Sequence, residues 1–372
     1  MSKNSRNYGI DLLRIISMLS VVLLHVLGHG GILNLDHLPA NFSIVWFFEI
    51  LAYPAVNCFV LVSGYVGYKT DNIFPKLKNI LSLWFTVLFY SITIFFFFEF
   101  FGPETLGLKE FVKSFFPIIL KKYWFFTAYV GLFLLSPLLN LLVYKSNFKL
   151  AFVYLIVFSL FSIISIVNDS FSVLGGYSVI WFVFMYLMGA IIKKYDLSKL
   201  FSKKLWIIFS LSAFIITWFS KIALCFSGIP FLVSHSGILV KYVSPTIVLM
   251  SIGLLCWLSK INCPPSFSPV ISFFSSSAFS VYLIHDNTFV REYLISKIHS
   301  FIGNFNVVLL TLSIIGCILV IFITCILIDK IRITIFKLIK IDKLSEQIEN
   351  LVKSLLDAVY TRLDNVLNSK AG

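Results

Sequence analysis

"GIDLLRIISMLSVVLLHVLGHG", residues 9–30, decides the fold class and raises the functional question at once. Its run of Leu, Ile, Val and Met is long enough to cross the hydrocarbon of a bilayer, for which about 20 helical residues suffice. Yet it carries Asp11, Arg14 and His25. Ionisable groups at bilayer depth cost on the order of 2.5 kcal/mol or more each on insertion scales, so they meet a partner, a cavity or a substrate. Arg14 and His25 stand eleven residues apart, and at 100° per residue the second returns to within about 20° of the first. Asp11 precedes Arg14 on the same face, and His29 follows His25. The stripe runs about 16 Å along the helix, a geometry suited to a reagent that enters at one membrane face and is used towards the other. His25 is too deep to reach a headgroup. Asp11, close to the helix start, reads equally well as an interfacial partner that orients Arg14. His29 and His37 read as interfacial. A His25/His29 pair has no evident third ligand, so no metal is expected.

Working outward, the whole chain has the same character. It is 59% hydrophobic and 13% charged over 372 residues, with mean hydropathy +0.95, against about 25% charged in an ordinary soluble domain. The fold class is therefore an all-α polytopic membrane protein. Apolar segments predict about ten transmembrane helices, near 9–29, 44–67, 79–101, 123–143, 149–167, 179–195, 205–226, 238–259, 271–290 and 306–328. Lysines gather in alternate connections, among them Lys69, Lys76, Lys78, Lys145, Lys193, Lys194, Lys203 and Lys260. That bias puts both the N- and C-termini in the cytoplasm. One outer connection dissents, carrying Lys109, Lys113, Lys121 and Lys122. The first helix lacks a small-residue cleavage site and is read as retained rather than as a removed signal. A membrane-embedded domain over 1–329 and a cytoplasmic tail over 330–372 follow. In the tail, Leu344, Ile348, Leu351, Leu355 and Val359 form one apolar stripe, giving an amphipathic helix for the inner membrane surface or a partner helix.

The net charge of +13 is spread between spans and not gathered on a patch, so no nucleic acid is expected. The six cysteines form no C-x-x-C pair or metal spacing. No G-x-S-x-G, Walker, G-x-G-x-x-G or H-E-x-x-H signature is present. Further polar candidates sit within or beside the spans. They are Glu49, Asn57 and Ser63 in the second, Tyr123 and Trp124 at the start of the fourth, and Tyr282, His285, Asp286 and Arg291 at the end of the ninth. From the residues alone, a buried His of this kind serves a general base or nucleophile, or a proton-coupled transporter or flippase.

Five stretches in order are similar to one family. "RNYGIDLLRIISMLSVVLLH", with Arg14 and His25 separated by ten residues, resembles the N-terminal signature of the acyltransferase-3 family of integral membrane acyltransferases. "VNCFVLVSGY" resembles its segment around a Ser-Gly pair, and "YWFFTAYVGLFLLSPLLN", "WFVFMYLMGAIIKKY" and "FSVYLIHDNTFVREYL" its later helices. The resemblance implies transfer of an acyl group, usually acetyl from acetyl-CoA, to a hydroxyl of a sugar or envelope glycan. It implies His25 as the catalytic residue, with Arg14 and Asp11 in support. Ser63, Lys69, Tyr123, Trp124, Tyr282, His285 and Arg291 are the expected substrate or donor contacts. Lys69 stands where some members carry an Arg-x-x-Arg pair. Acetyl-CoA is then a co-substrate, with no permanently bound cofactor. Expected partners are a glycan or lipid-linked sugar acceptor, membrane lipids and, among the assemblies considered, a homo-oligomer. The resemblance is to the branch acting on capsular or exopolysaccharides, which implies a multi-pass protein of a bacterial plasma membrane.

Overall fold

A computed structural model describes residues 6–34, 39–69 and 76–370; His37 lies outside them. The chain is a bundle of helices. The first is α1 (Tyr8–Gly28), whose start is set by Asn7, the side chain of which accepts from the Ile10 amide. Next come α2 (Pro39–Ala52) and α3 (Ala55–Gly67), one apolar rod broken at Tyr53 and Pro54. Then follow α4 (Leu77–Phe101), the short α5 (Gly107–Ser114), α6 (Trp124–Lys145) and α7 (Phe148–Val167). The second half holds α8 (Val179–Lys194), α9 (Lys203–Cys225), α10 (Pro230–Ser234) and α11 (Pro245–Leu258). After these come α12 (Ser268–Ser275), α13 (Ala278–His285), α14 (Thr288–Tyr293), α15 (Ile298–Ile302), α16 (Val307–Leu338) and α17 (Ile341–Lys370).

Among the described residues, eight helical segments are long and apolar enough to cross a membrane. The expectation of about ten resolves into these eight and two shorter helices. The segments near 179–195 and 238–259 form α8, of 16 residues, and α11, of 14 residues, about 24 and 21 Å long at 1.5 Å per residue. Pro245 fixes the start of α11 and shortens it relative to its apolar run. Both helices are largely buried by their neighbours, and hydropathy alone does not separate a buried core helix from a lipid-facing one.

Close backbone approach holds the centre. A Cβ at Gly64 of α3 would fall 1.9 Å from the Tyr186 carbonyl oxygen of α8, and one at Gly189 of α8 would fall 2.1 Å from that of Leu61. Small residues let membrane helices approach this closely and gain dispersion contacts. Nearby, Trp181 donates to Asn57 Oδ1 at 2.9 Å, and Asn57 Nδ2 donates to the Tyr242 carbonyl at 2.8 Å. One buried amide thus ties α3 and α8 to the segment before α11.

The lysine-rich connections collect at one end of the bundle. There Arg6 reaches Ser275 at 3.2 Å, Asn7 donates to the Ser259 carbonyl at 2.9 Å, and Lys330 donates to Ser277 at 3.0 Å. Lys194 caps the Val143 carbonyl and Lys260 that of Phe201. The start of α1 and the last turns of α16 therefore share a face. At the other end, Asn41 meets the Phe305 carbonyl and Trp218 that of Ser43.

The tail forms a long helix, α17. α16 continues past residue 329 to Leu338, and the chain turns at Lys340, with φ of 58°. The start of α17 docks on α4: Ile341, Ser345 and Glu349 are buried, and Glu349 accepts from the Lys78 amide at 2.8 Å. Leu344, Leu351, Leu355 and Val359 stay exposed.

Candidate active site

Asp11 is 3% exposed. Its carboxylate accepts from Arg6 at 2.5 Å and from Arg14 at 2.8 Å. It borders neither of the two cavities described below; it fixes Arg14, which borders both. The i, i+3 spacing of Asp11 and Arg14 on one helix face permits the pairing.

Four turns further along α1, the last turn of α13 arrives beside His25. His25 Nδ1 lies 2.9 Å from His285 Nε2, and His285 Nδ1 lies 2.5 Å from the Val281 carbonyl oxygen. A carbonyl only accepts, so His285 Nδ1 carries the proton, and the neutral ring offers Nε2 as acceptor. His25 Nδ1 then donates to it, which leaves His25 Nε2 as an unprotonated base. Asp286, the residue after α13, stands 3.5 Å from His25 Nδ1, 3.7 Å from His29 Nε2 and 3.5 Å from Arg291 Nη1. Burial, and Arg291 beside it, hold the His29 imidazole below its ordinary range, with Asp286 acting in the opposite direction. Tyr123 pins this corner from behind: its hydroxyl donates to the Leu283 carbonyl at 3.1 Å and accepts from Asn287 at 2.8 Å.

His25 opens on a cavity of about 660 Å³ that also touches Arg14, Ser63, Trp124, Tyr282 and Arg291. A second cavity of about 330 Å³ is lined by Lys69, Lys76 and Asn79, and shares Arg14, Ser63, Leu83 and Tyr129 with the first. Together they make a path from the lysine-rich end, past Arg14, to His25 and on to Asp286 and Arg291.

Of the ten residues expected as catalytic residues or as substrate or donor contacts, six border the main cavity: Arg14, His25, Ser63, Trp124, Tyr282 and Arg291. Lys69 borders the inner one. Asp11, Tyr123 and His285 do not; all three are buried, Asp11 against Arg14, His285 against His25 and Tyr123 against the ring of Tyr282. The sequence reading placed His29 beside His25 on the stripe but did not link Asp286 to either. It also gave no role to Tyr53, Tyr177 or Tyr242, all of which line the main cavity, and left Glu49 undecided. The signal for Asp286 was present in "YLIHDNTF", but a contact across 260 residues leaves no periodicity to read.

Asp286 supplies the third ligand that the His25/His29 pair lacked: the ligand atoms of the three residues lie within 4.8 Å of one another. The donor set fits a cation poorly. Arg291 Nη1 stands 3.4 Å from His29 Nε2 and 3.5 Å from Asp286, and His25 Nδ1 is engaged by His285. The arrangement instead suits proton transfer at His25 beside a buried carboxylate.

The sequence matches the acyltransferase domain of the acyltransferase-3 family over residues 7–329. The chain belongs to the acyltransferase-3 family. No curated protein and no solved structure matches it. As an acyltransferase-3 protein it is a multi-pass membrane enzyme that transfers acyl groups, and it requires an acyl donor and an acceptor. The match ends at residue 329, inside α16, so α17 lies beyond the acyltransferase-3 domain.

Proposed function

We propose that the chain transfers an acetyl group from cytoplasmic acetyl-CoA to a hydroxyl of a cell-surface or capsular polysaccharide, or of its lipid-linked precursor, in a bacterial plasma membrane. The observation that carries this reading is the pair of adjoining cavities along α1 that share Arg14 and Ser63, with His25, its Nδ1 engaged by His285, on the wall of the larger one. Lys69, Lys76 and Arg14 line its inner half, where cations suit the phosphates of CoA. The thioester reaches His25 from that side and the acceptor from the other.

His25 Nε2 takes the proton of the acceptor hydroxyl as its oxygen attacks the thioester carbonyl carbon. The carbon–sulfur bond breaks, and the thiolate of CoA leaves with the proton returned from His25. Positioned general-base catalysis of this kind contributes about 10²- to 10⁴-fold. An alternative sequence forms an acetyl-His25 intermediate first, which relays the group to the acceptor in a second step.

The test is acetyl-CoA-dependent release of CoA, with O-acetylation of envelope glycan, in membranes that hold the chain. We expect both. Membranes that release no CoA with host envelope glycans supplied would favour a proton-coupled transporter or flippase using Arg14 and His25.

A further inference from the structure

Glu49 is a buried carboxyl group with an open oxygen. It lies on α2, is 8% exposed, and lines the main cavity. Its Oε2 has no hydrogen-bond partner, and among the described residues it makes no ion pair. Buried polar groups are ordinarily satisfied, and one left open in a cavity wall points to a ligand that completes it. The surface beside it is aromatic. Trp124 and Tyr177 have ring centroids 4.6 Å apart, Tyr177 and Tyr242 5.0 Å, and Tyr53 and Tyr242 4.9 Å. Trp124 stacks on Tyr242 at 6.5 Å and 24°. All four rings line the same cavity. Because the rings touch one another, they form a wall and not a cage around a cation.

We propose that Glu49 and the wall of Tyr53, Trp124, Tyr177 and Tyr242 form the acceptor subsite, which binds one saccharide ring with its apolar face on the aromatics and its hydroxyls on the carboxyl group. This rests on the reading of the chain as a sugar O-acetyltransferase. Charge separates the two ends of the path. Lys69, Lys76 and Arg14 attract the phosphates of CoA at the inner end, which leaves the aromatic wall to the acceptor. A saccharide hydroxyl hydrogen-bonds to the open carboxyl oxygen, and the aromatic wall offers apolar area to the ring's C–H groups. Glu49 acts by binding the acceptor and takes no proton in the reaction.

The test uses the full chain in proteoliposomes, with labelled acetyl-CoA and the lipid-linked saccharide fraction extracted from the host cells as acceptor. Glu49→Gln keeps the size of the side chain, and Tyr177→Ala removes the most exposed of the four rings, so that a folding defect in one variant leaves the other to decide. We expect the KM for the saccharide fraction to rise about tenfold in each, the cost of one mismatched hydrogen bond or of a stacking surface. The KM for acetyl-CoA stays within about twofold of wild type on the same grounds, since neither residue meets the donor. An unchanged saccharide KM in both variants would overturn the subsite, as would a rise confined to the KM for acetyl-CoA. Failure of the underlying reading looks different: wild-type protein would cleave acetyl-CoA and label no carbohydrate, and the subsite would fall with it.

Discussion

His25 owes its basic nitrogen to His285, which in turn owes its tautomer to the Val281 carbonyl. Replacing His285 by Phe removes the acceptor for His25 Nδ1 and leaves the ring free to take either tautomer. One neutral hydrogen bond is worth about 0.5–1.5 kcal/mol, or up to roughly tenfold in rate. We therefore expect His285→Phe to lower kcat by about that factor with both KM values unchanged, measured by steady-state release of CoA. A loss as complete as that of a His25 variant would instead make His285 a reacting group. Asp11 acts at the other end of the stripe. Asp11→Asn removes the charge that holds Arg14 and is expected to raise the KM for acetyl-CoA by severalfold, about 1 kcal/mol for a partly exposed pair, with little change in kcat. At this scale the sequence was informative wherever the helix period did the work. Eleven residues bring Arg14 and His25 onto one face, and three bring Asp11 to Arg14. Pairing of His25 with His285 and Asp286 depends on how α13 packs against α1, and no local spacing encodes that.

Elements meet most closely where α3 crosses α8. The pair Gly64 and Gly189 allows contact of backbone with backbone, so any Cβ there forces the helices apart. Ser63, the neighbour of Gly64, lines the cavity, and a displaced α3 carries it away from Arg14. Gly189→Leu is expected to abolish a monodisperse, active protein, since overpacking costs typically 1–3 kcal/mol even where side chains can yield. Gly316→Leu, where no atom lies within 4 Å of the added Cβ, should behave as wild type. Size-exclusion chromatography and thermal unfolding in detergent distinguish the two. Monodisperse, stable Gly189→Leu protein would contradict the packing described. The long spans were legible because composition and length suffice for them. α8 and α11 were read as spans although neither has the length, because their apolar residues face other helices and hydropathy cannot see which neighbour buries them. The aromatic wall was invisible for a similar reason. Its rings come from the end of α2, α6 and two connections; Trp124 alone was expected as a contact, and no spacing in the sequence brings the other three beside it.

At the scale of the molecule, the two cavities form one route with a lysine-rich mouth at one end and Asp286 and Arg291 towards the other. The sidedness expected from the lysines gives this route the direction that the proposed function requires, with the donor entering at the lysine-rich mouth. Cysteines introduced at Lys76 and at Arg291, in a background free of other reactive thiols, should react with an impermeant thiol reagent from opposite faces. Lys76→Cys is expected to label in inverted vesicles and Arg291→Cys in right-side-out ones; labelling of both from the same face would contradict a path through the bundle. His25 lies between these mouths, and the chemistry proposed for the chain stands on it. The most direct test compares wild type with His25→Ala at matched expression, following acetyl-CoA-dependent release of CoA together with O-acetylation of envelope glycan in the same membranes. We expect both signals to fall by about 10²-fold or more in the variant; a variant that retains both at the wild-type rate would contradict catalysis at His25.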